Sequence, residues 1–193
     1  GNDVVASMLR DGFMQTVIKN RMDIDDQGYQ PALVYLNGTY FGLLNLREKM
    51  NAHYAASNHG ADPDNLDIIE MFEWVAEGDR VAYNELLDYI RTNDLSNNEA
   101  FGHVSSLVDV SEFMNHYLVN IYYQNEDWPQ NNTKFWRERK EGSKWRMYLY
   151  DTDFGFDLYP RSEQTLAWAT RPHISTEIFV NLLKNENFKN EFI

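Results

Sequence analysis

The sequence contains no cysteine, which excludes disulfide bonds and zinc sites built from thiolates. It is also poor in positive charge, because 17 Lys and Arg residues against 30 Asp and Glu residues give a formal net charge of −13. Proteins that bind nucleic acid use clustered Lys and Arg to release counterions from phosphates, so the composition argues against a nucleic-acid partner. No stretch approaches the ~18 consecutive apolar residues of a membrane-spanning helix, and we expect no membrane span in this chain.

What the sequence does contain is enough apolar material for one sizeable core, since 43% of its 193 residues are hydrophobic and 15% are aromatic. We expect a single α+β domain over residues 1–193, and both ends lie within helical patterns, so we expect it to be truncated at both ends. Apolar periodicity and capping patterns predict helices at Val4 to about Lys19, Asn51–Asn58, Val81–Arg91, a segment beginning near Ser96, Val110 to about Gln124, Thr176–Asn185 and Glu186–Phe192.

The first of these helices carries an apolar stripe that predicts its buried face. Arg10 and Asp11 lie together beside the stripe, and we interpret them as a surface ion pair, a type of contact that contributes less than about 1 kcal/mol. The stripe consists of Val5, Met8, Leu9, Phe13 and Val17.

A β-hairpin is predicted after this helix. Tyr29–Leu36 and Tyr40–Leu46 are rich in β-branched and aromatic residues, and the Asn37-Gly38 pair between them tolerates the positive φ angles of a tight turn. A further short strand is predicted at Leu66–Met71, followed by a solvated acidic loop that contains Glu73, Glu77 and Asp79.

The hairpin ends in the charged sequence Arg47-Glu48-Lys49. Since neighbouring residues of a strand point to opposite faces, Arg47 and Lys49 share one face and Glu48 lies on the other.

The densest cluster of polar residues lies between Tyr123 and Tyr159. Within it, Lys134–Arg137 and Lys144–Tyr150 are predicted as the two arms of a hairpin, with a turn at residues 140–143. A hairpin returns the chain, so the residues just before the first arm and just after the second lie side by side.

This return brings Asp127 and Asn132 near Asp151 and Asp153. Asp and Asn are also common in turns and helix caps, and such pairs are often only solvated loop residues. Here, however, Asn132 follows Asp127 by five residues, and the hairpin after them is followed by the Asp-x-Asp sequence of Asp151 and Asp153. This pattern is typical of kinase-type phosphoryl transfer, in which one Asp accepts the substrate hydroxyl proton while an Asn and a second Asp hold Mg²⁺.

Three segments of the chain resemble the signature motifs of the spore coat protein H (CotH) kinase family. The resemblance extends in order over nearly the whole chain and is carried by residues 29–49 (YQPALVYLNGTYFGLLNLREK), 125–137 (NEDWPQNNTKFWR) and 145–156 (WRMYLYDTDFGF). It implies a distant relationship in fold to eukaryotic protein kinases, with mostly C-lobe helices, one hairpin from the N-lobe region and one hairpin at the site. It also implies binding of ATP with Mg²⁺, phosphorylation of proteins on Ser or Thr hydroxyls, and a secreted or cell-surface location in a bacterium.

By position, the resemblance assigns Asp127 as the catalytic-loop aspartate and Asn132 and Asp151 as metal ligands, with Asp153 as a supporting metal carboxylate. It does not favour Asp153-Phe154-Gly155 as the metal-binding Asp-Phe-Gly of protein kinases.

The resemblance further implies that the three charged residues after the first hairpin bind the nucleotide. Arg47 and Lys49 would contact its phosphates and Glu48 would orient one of these two cations. The family's upstream strands and a glycine-rich phosphate loop have no counterpart in the sequence.

Three other functions are compatible with these residues. A catalytically silent kinase-like binding module would carry the same motifs. A structural domain stabilised by Ca²⁺ could use Asp151, Asp153 and Asp157, although an EF-hand loop has Gly at the position of Phe156. A hydrolase could use Asp127 and Asp151 as paired carboxylates on either side of a glycosidic bond.

Overall fold

The structure, a computed structural model, describes residues 8–158 and 164–193 and has an α+β architecture. Helices and strands interleave along the chain, and the strands form two separate antiparallel sheets. The elements are α1 Arg10–Ile18, β1 Tyr29–Leu36, β2 Thr39–Arg47, α2 Ala52–His59, β3 Leu66–Glu70, β4 Trp74–Glu77, α3 Val81–Thr92, α4 Asn98–Leu107, α5 Val110–Tyr122, β5 Lys134–Glu138, β6 Arg146–Met147, α6 Thr165–Ala169, a 3₁₀ turn Ile174–Thr176, α7 Glu177–Leu182 and α8 Glu186–Phe192.

The predicted first hairpin is confirmed as β1 and β2, which form a sheet of two strands. Asn37 and Gly38 adopt φ angles of 51° and 83°, the left-handed region that a tight hairpin turn requires. Many apolar side chains of this hairpin remain in contact with solvent on both faces of the ribbon; they are Leu33, Tyr35, Leu36, Tyr40, Phe41, Leu43, Leu44 and Leu46.

The second sheet has the strand order β4-β3-β5-β6 and contains the second predicted hairpin, β5 and β6. Strand β4 corrects the prediction of an acidic loop, because Trp74 pairs with Glu70 and Glu77 pairs with Ile68. Glu77 is exposed on this edge strand, so an acidic residue fits a strand position that faces water.

The main core lies between this sheet and the helices α3, α5, α7 and α8. Aromatic rings dominate it: Tyr117 stacks on Phe179 at a centroid distance of 3.7 Å and Phe113 stacks on Phe135 at 5.9 Å. Truncating a buried ring of this size to Ala costs about 3–5 kcal/mol, so this layer fixes α5 against the sheet. The C-terminal end of α5 leads directly into the polar segment around Asp127.

A buried ionic cluster joins the second sheet to the loop after α1. Asp25 accepts hydrogen bonds from Trp136 Nε1 at 2.7 Å and from Arg146 Nη2 at 2.9 Å, and it lies 2.9 Å from His59 Nε2. These partners hold the pKa of Asp25 below its ordinary value, despite the burial that opposes ionisation. Arg146 also donates to Asp109, the N-cap of α5, and the cluster therefore fixes the site hairpin to that helix.

Several helix predictions differ from the structure. The predicted N-terminal helix is observed as α1 only from Arg10, and its predicted start at residues 4–7 lies outside the described residues. The predicted stripe is wrong at Leu9 and Phe13, which are 52% and 56% exposed, whereas Met8 and Val17 are half-buried. The buried face of α1 instead carries Met14 and Ile18, which pack in an apolar cluster with Ile24, Val119, Tyr123 and Leu149. Gln15 is buried beside them, and its Nε2 donates to the carbonyl of Leu149.

Smaller differences concern helix ends in the second half of the chain. Asn97, and not Ser96, caps α4, because its side chain accepts from the amides of Glu99 and Ala100. Helix α6, Thr165–Ala169, lies in a segment for which the sequence predicted no helix. No helix among the described residues combines the length and apolarity needed to cross a membrane.

Candidate active site

Helix α5 positions the front of the candidate site through a chain of buried amides. Asn120, near the end of the helix, accepts a hydrogen bond from Asn125 Nδ2 at 2.9 Å, and Asn125 Oδ1 accepts from the amide of Asp127 at 3.4 Å. Asn120 and Asn125 are each 1% exposed. Because buried amides with satisfied partners have little freedom, the loop that carries Asp127 leaves the helix in a fixed direction.

The side chain of Asn132 lies between the two halves of the site. Its Nδ2 group donates to Asp127 Oδ2 at 3.1 Å and to the carbonyl of Asp151 at 3.4 Å. Asn131 Nδ2 donates to the other carboxylate oxygen of Asp127 at 2.6 Å. Asn132 and Asp151 both have φ near 55°, a conformation that Asn and Asp adopt more readily than most residues. The structure thus brings together Asp127, Asn132 and Asp151, as the hairpin return predicted.

Backbone contacts also hold the two loops together. The amide of Phe156 donates to the carbonyl of Tyr123 at 2.7 Å, and the amide of Glu126 donates to the carbonyl of Phe154 at 3.4 Å. A Cβ atom on Gly155 would lie 2.6 Å from Met14 Cε and 2.9 Å from the carbonyl oxygen of Tyr123. Only glycine fits this close approach.

Asp151 and Asp153 form a pair of neighbouring carboxyl groups. Desolvation by surrounding protein atoms, the charge of Asp153 and the charge of Asp11 raise the pKa of Asp151 to about 6, and a hydrogen bond with Asp153 contributes in the same direction. Asp153 is buried, whereas part of Asp151 remains open to solvent. Two carboxylates held this closely repel each other when both are ionised, and a cation between them would remove that repulsion.

The groups gathered here are oxygen donors of the kind that can hold Mg²⁺. Mg²⁺ takes one or two carboxylates from a protein and completes its octahedron with water and phosphate oxygens. Asp151 and Asp153 could provide the carboxylates, and Asn132 Oδ1, which accepts no hydrogen bond within the described residues, could act as a further oxygen ligand. Among residues 8–158 and 164–193, no group of three or more Asp, Glu, His or Cys side chains could hold a metal. The Ca²⁺ alternative with Asp151, Asp153 and Asp157 thus finds no support there.

Comparison with known protein families shows which family the chain belongs to. The family described as CotH kinase protein matches residues 1–193, which is the entire sequence. The chain belongs to this family. No curated protein matches the sequence.

Arg47, Glu48 and Lys49, at the end of β2 and directly after it, have different neighbours in the structure of this CotH family chain. Arg47 Nη2 contacts Asp11 Oδ2 at 2.6 Å and donates to Gln27 Oε1 at 2.7 Å. Glu48 accepts hydrogen bonds from the amide of Gly28 and from Asn58 Nδ2. Lys49 is exposed and forms no ion pair with any residue in the described ranges. Glu48 therefore holds the loop before β1 and forms no ion pair with Arg47 or Lys49 in the described ranges, and its role in orienting one of the two cations stays a prediction.

Sequence reasoning missed the role of Asp11, which it interpreted as part of a surface pair with Arg10. Asp11 Oδ1 accepts hydrogen bonds from both the amide and the hydroxyl of Thr152, at 2.9 and 2.7 Å. Arg10 Nη1 donates to the carbonyls of Gly155 and Phe156, each at 2.9 Å. Both residues therefore hold the loop that carries the Asp151 and Asp153 carboxylates. The separation of 141 residues between Asp11 and Thr152 left no local signal in the sequence.

The histidine on α5, His116, is fully buried. Burial lowers the pKa of His116 to about 4, so the ring is neutral near pH 7. One helical turn earlier, burial raises the pKa of Glu112 well above its ordinary value, and Glu112 Oε2 accepts a hydrogen bond from the amide of Met147. Both side chains lie beneath the site hairpin and support it from the helix side.

Proposed function

We propose that this CotH family chain is a kinase-like phosphotransferase that uses ATP and Mg²⁺ to phosphorylate Ser or Thr hydroxyls of a protein. The observation that carries the proposal is the position of Asn132, whose amide bridges the Asp127 carboxylate and the Asp151 backbone next to the Asp151–Asp153 carboxyl pair. A phosphoryl-transfer site needs an acceptor-binding carboxylate beside a metal site, and this arrangement supplies both within one short stretch of surface.

Asp127 is the residue that would contact the acceptor hydroxyl. Each of its carboxylate oxygens accepts one amide, from Asn131 and from Asn132, and these bonds fix the plane of the carboxylate. A carboxylate offers about four lone-pair positions, so further positions remain for the acceptor. Asp127 would orient that hydroxyl toward the phosphoryl group and accept its proton.

Asp151, Asp153 and Asn132 would hold Mg²⁺, which when bound neutralises charge on the phosphate oxygens of ATP. The neighbouring Asp153 carboxyl group is one of the causes that raise the pKa of Asp151, and a bound cation would favour the ionised form of both groups. Lys49, whose side chain is exposed, is a cation that could reach a phosphate without first giving up a partner in the described residues. Arg47 would have to leave or share its contact with Asp11 to do the same.

A silent binding module would bind ATP without transferring phosphate, whereas an enzyme would do both, so binding and transfer are measured separately. The first measurement is the melting temperature of the wild-type chain with ATP, with Mg²⁺ and with both together. A ligand that binds only the folded state raises the melting temperature, so we expect an increase with the combination that exceeds the sum of the two separate increases.

Two substitutions separate metal binding from chemistry. Asp151→Ala removes a metal ligand, and we expect it to weaken Mg²⁺-dependent ATP binding as well as phosphate transfer to a Ser-containing acceptor protein. Asp127→Asn keeps the side-chain shape, and we expect nearly unchanged ATP binding with transfer reduced on the order of 10²-fold or more. Asp157→Asn, an exposed aspartate of the same loop with φ 58°, serves as the control and should affect neither.

Each result decides between the functions. ATP binding without detectable transfer by the wild-type chain would favour the silent module. Equal loss of ATP binding in Asp127→Asn and Asp151→Ala would show that Asp127 acts in metal binding or loop structure and not in the transfer step. The absence of any Mg²⁺-dependent ATP binding by the wild-type chain would contradict the proposal.

A further inference from the structure

We infer that Asp11 is a positioning residue for the metal-binding loop, which it holds in place by binding Thr152 with one carboxylate oxygen and Arg47 with the other. This inference rests on the proposed function, because it assigns Asp11 a role in Mg²⁺ binding by Asp151 and Asp153. It adds a residue from α1 that lies outside every motif by which the sequence resembles its family.

The contacts of Thr152 carry the first step of the argument. Thr152 lies between the two metal-binding candidates in the sequence and is fully buried. Its amide and its hydroxyl both donate to the same oxygen of Asp11. Hydrogen bonds to a charged acceptor are stronger than those between neutral groups, so two such bonds from Asp11 hold the residue that lies between the two carboxylates.

The conformation of the loop shows why such a support is needed. Asp151 has φ 55°, a left-handed conformation that Asp adopts more readily than most residues but less readily than glycine. Its carboxyl group also lies against that of Asp153. A loop with both features keeps its shape only if neighbouring groups enforce it, and Asp11 is the side chain that bonds to its middle residue.

The second oxygen of Asp11 links this loop to the hairpin β1–β2. Arg47, the last residue of β2, contacts Asp11 Oδ2 at 2.6 Å, and both side chains are only about one fifth exposed, at 19% and 20%. The guanidinium group also lies 5.5 Å from the ring centre of Tyr29 and bonds to Gln27. Asp11 is therefore fixed from both sides, which makes it a rigid support for the loop.

Residues that orient the ligands of a metal typically change metal affinity by 10- to 100-fold when they are replaced. We accordingly expect Asp11→Asn and Thr152→Val each to raise the dissociation constant for Mn²⁺, used as a calorimetric probe in place of Mg²⁺ in the presence of ATP, by at least about tenfold. Because the two residues act through one contact, we expect the double variant to lose much less than the product of the two single effects.

The controls match each substitution in chemistry. Asp88→Asn changes an exposed aspartate on α3, and Thr165→Val changes a buried threonine on α6 whose hydroxyl has no hydrogen-bond partner within the described residues. Circular dichroism before each titration confirms that the protein is folded at the temperature used. A support that is merely structural would lower the melting temperature and leave the Mn²⁺ affinity of the folded protein unchanged.

The outcomes separate this inference from the proposed function. If the wild-type chain binds Mn²⁺ with ATP and both single variants bind it with wild-type affinity, the inference is overturned and the proposed function stands. If either folded variant loses affinity as expected while the controls do not, the inference is supported. If the wild-type chain binds no Mn²⁺ with ATP, the proposed function is overturned and the inference falls with it.

Discussion

Replacing Asp151 by Asn is expected to make the metal-free protein more stable at neutral pH. The pKa of Asp151 is raised to about 6 because the ionised carboxylate is partly desolvated and lies beside Asp153 and Asp11. At pH 7.5 the wild-type protein must keep this charge in unfavourable surroundings. Asparagine has nearly the same shape, carries no charge and tolerates the φ angle of 55° that this position requires.

The magnitude follows from the pKa change. A rise from the ordinary 3.8 to about 6 is roughly two pH units, and at about 1.4 kcal/mol per unit it sets a ceiling of about 3 kcal/mol. Asp151 is partly exposed, so solvent screening reduces the effect and we expect about 1 kcal/mol. For a chain of this length, 1 kcal/mol corresponds to an increase in melting temperature of about 2–4 °C.

The difference in stability between Asp151→Asn and the wild-type protein should depend on pH. Between pH 3.8 and about 6, the Asp151 carboxyl binds more protons in the folded than in the unfolded protein, so its contribution to stability falls as the pH rises through this interval. The stability advantage of Asp151→Asn should therefore be small at pH 4, grow toward pH 6 and remain constant above it. Thermal unfolding in buffers with EDTA measures the difference between the two proteins at each pH.

Asp157→Asn is the matched control, because Asp157 is exposed and adopts φ 58° in the same loop. It should change the melting temperature little at any pH. A melting temperature of Asp151→Asn that is lower than wild type at pH 7.5, or a difference that does not vary with pH, would refute the argument from carboxylate repulsion. If Asp151→Asn is more stable but its melting temperature no longer rises with ATP and Mg²⁺ together, the same carboxylate both destabilises the metal-free protein and binds the metal.

Two further predictions concern buried carboxyl groups that support the site. Glu112→Gln should cost less than about 1 kcal/mol in urea unfolding, since burial raises the pKa of Glu112 and so favours its neutral form, and Gln can still accept from the Met147 amide. Glu112→Leu should cost about 1–3 kcal/mol because that amide loses its partner. Equal costs would argue against a neutral Glu112. Asp25→Asn should cost about 1–3 kcal/mol at pH 7, because Arg146 loses its buried counter-charge but keeps the more exposed carboxylates of Asp23 and Asp109. Since the pKa of Asp25 is lowered, its stabilising charge is present above pH 3.8 and is lost as the pH falls below it. The loss of stability caused by Asp25→Asn should therefore become smaller on acidification. A loss that is unchanged at pH 3 would show that it comes from packing and not from charge.

The parts of the structure that the sequence predicted are those encoded by nearby residues. The turn at Asn37-Gly38 determines the first hairpin through its φ angles alone. The meeting of Asp127 and Asn132 with Asp151 follows from the return of β5 and β6, which requires only that two adjacent strands pair. Strand pairing and turns are local properties, and they sufficed to locate the candidate site.

What the sequence did not predict depends on contacts between distant segments. Asp11 contacts Thr152 across 141 residues, and no spacing rule connects the two. The predicted face of α1 was wrong because the helix buries a different apolar pair, Met14 and Ile18, in a cluster that includes Val119 and Leu149, together with Gln15, which donates to the carbonyl of Leu149. Helical periodicity identifies an apolar face, but it does not indicate that a helix will bury glutamine to support a loop.

The apolar hairpin β1–β2 has a consequence for experiments that vary the sequence at random. Leu33, Phe41 and Leu46 are 66%, 60% and 61% exposed, so polar substitutions there should change the free energy of unfolding by no more than about 0.5 kcal/mol. A library screened for folded protein should accept such substitutions freely. If a library selected for activity rejects them, the rejection would report a contact that these side chains make during function, and comparing the two libraries position by position would map that contact on the ribbon.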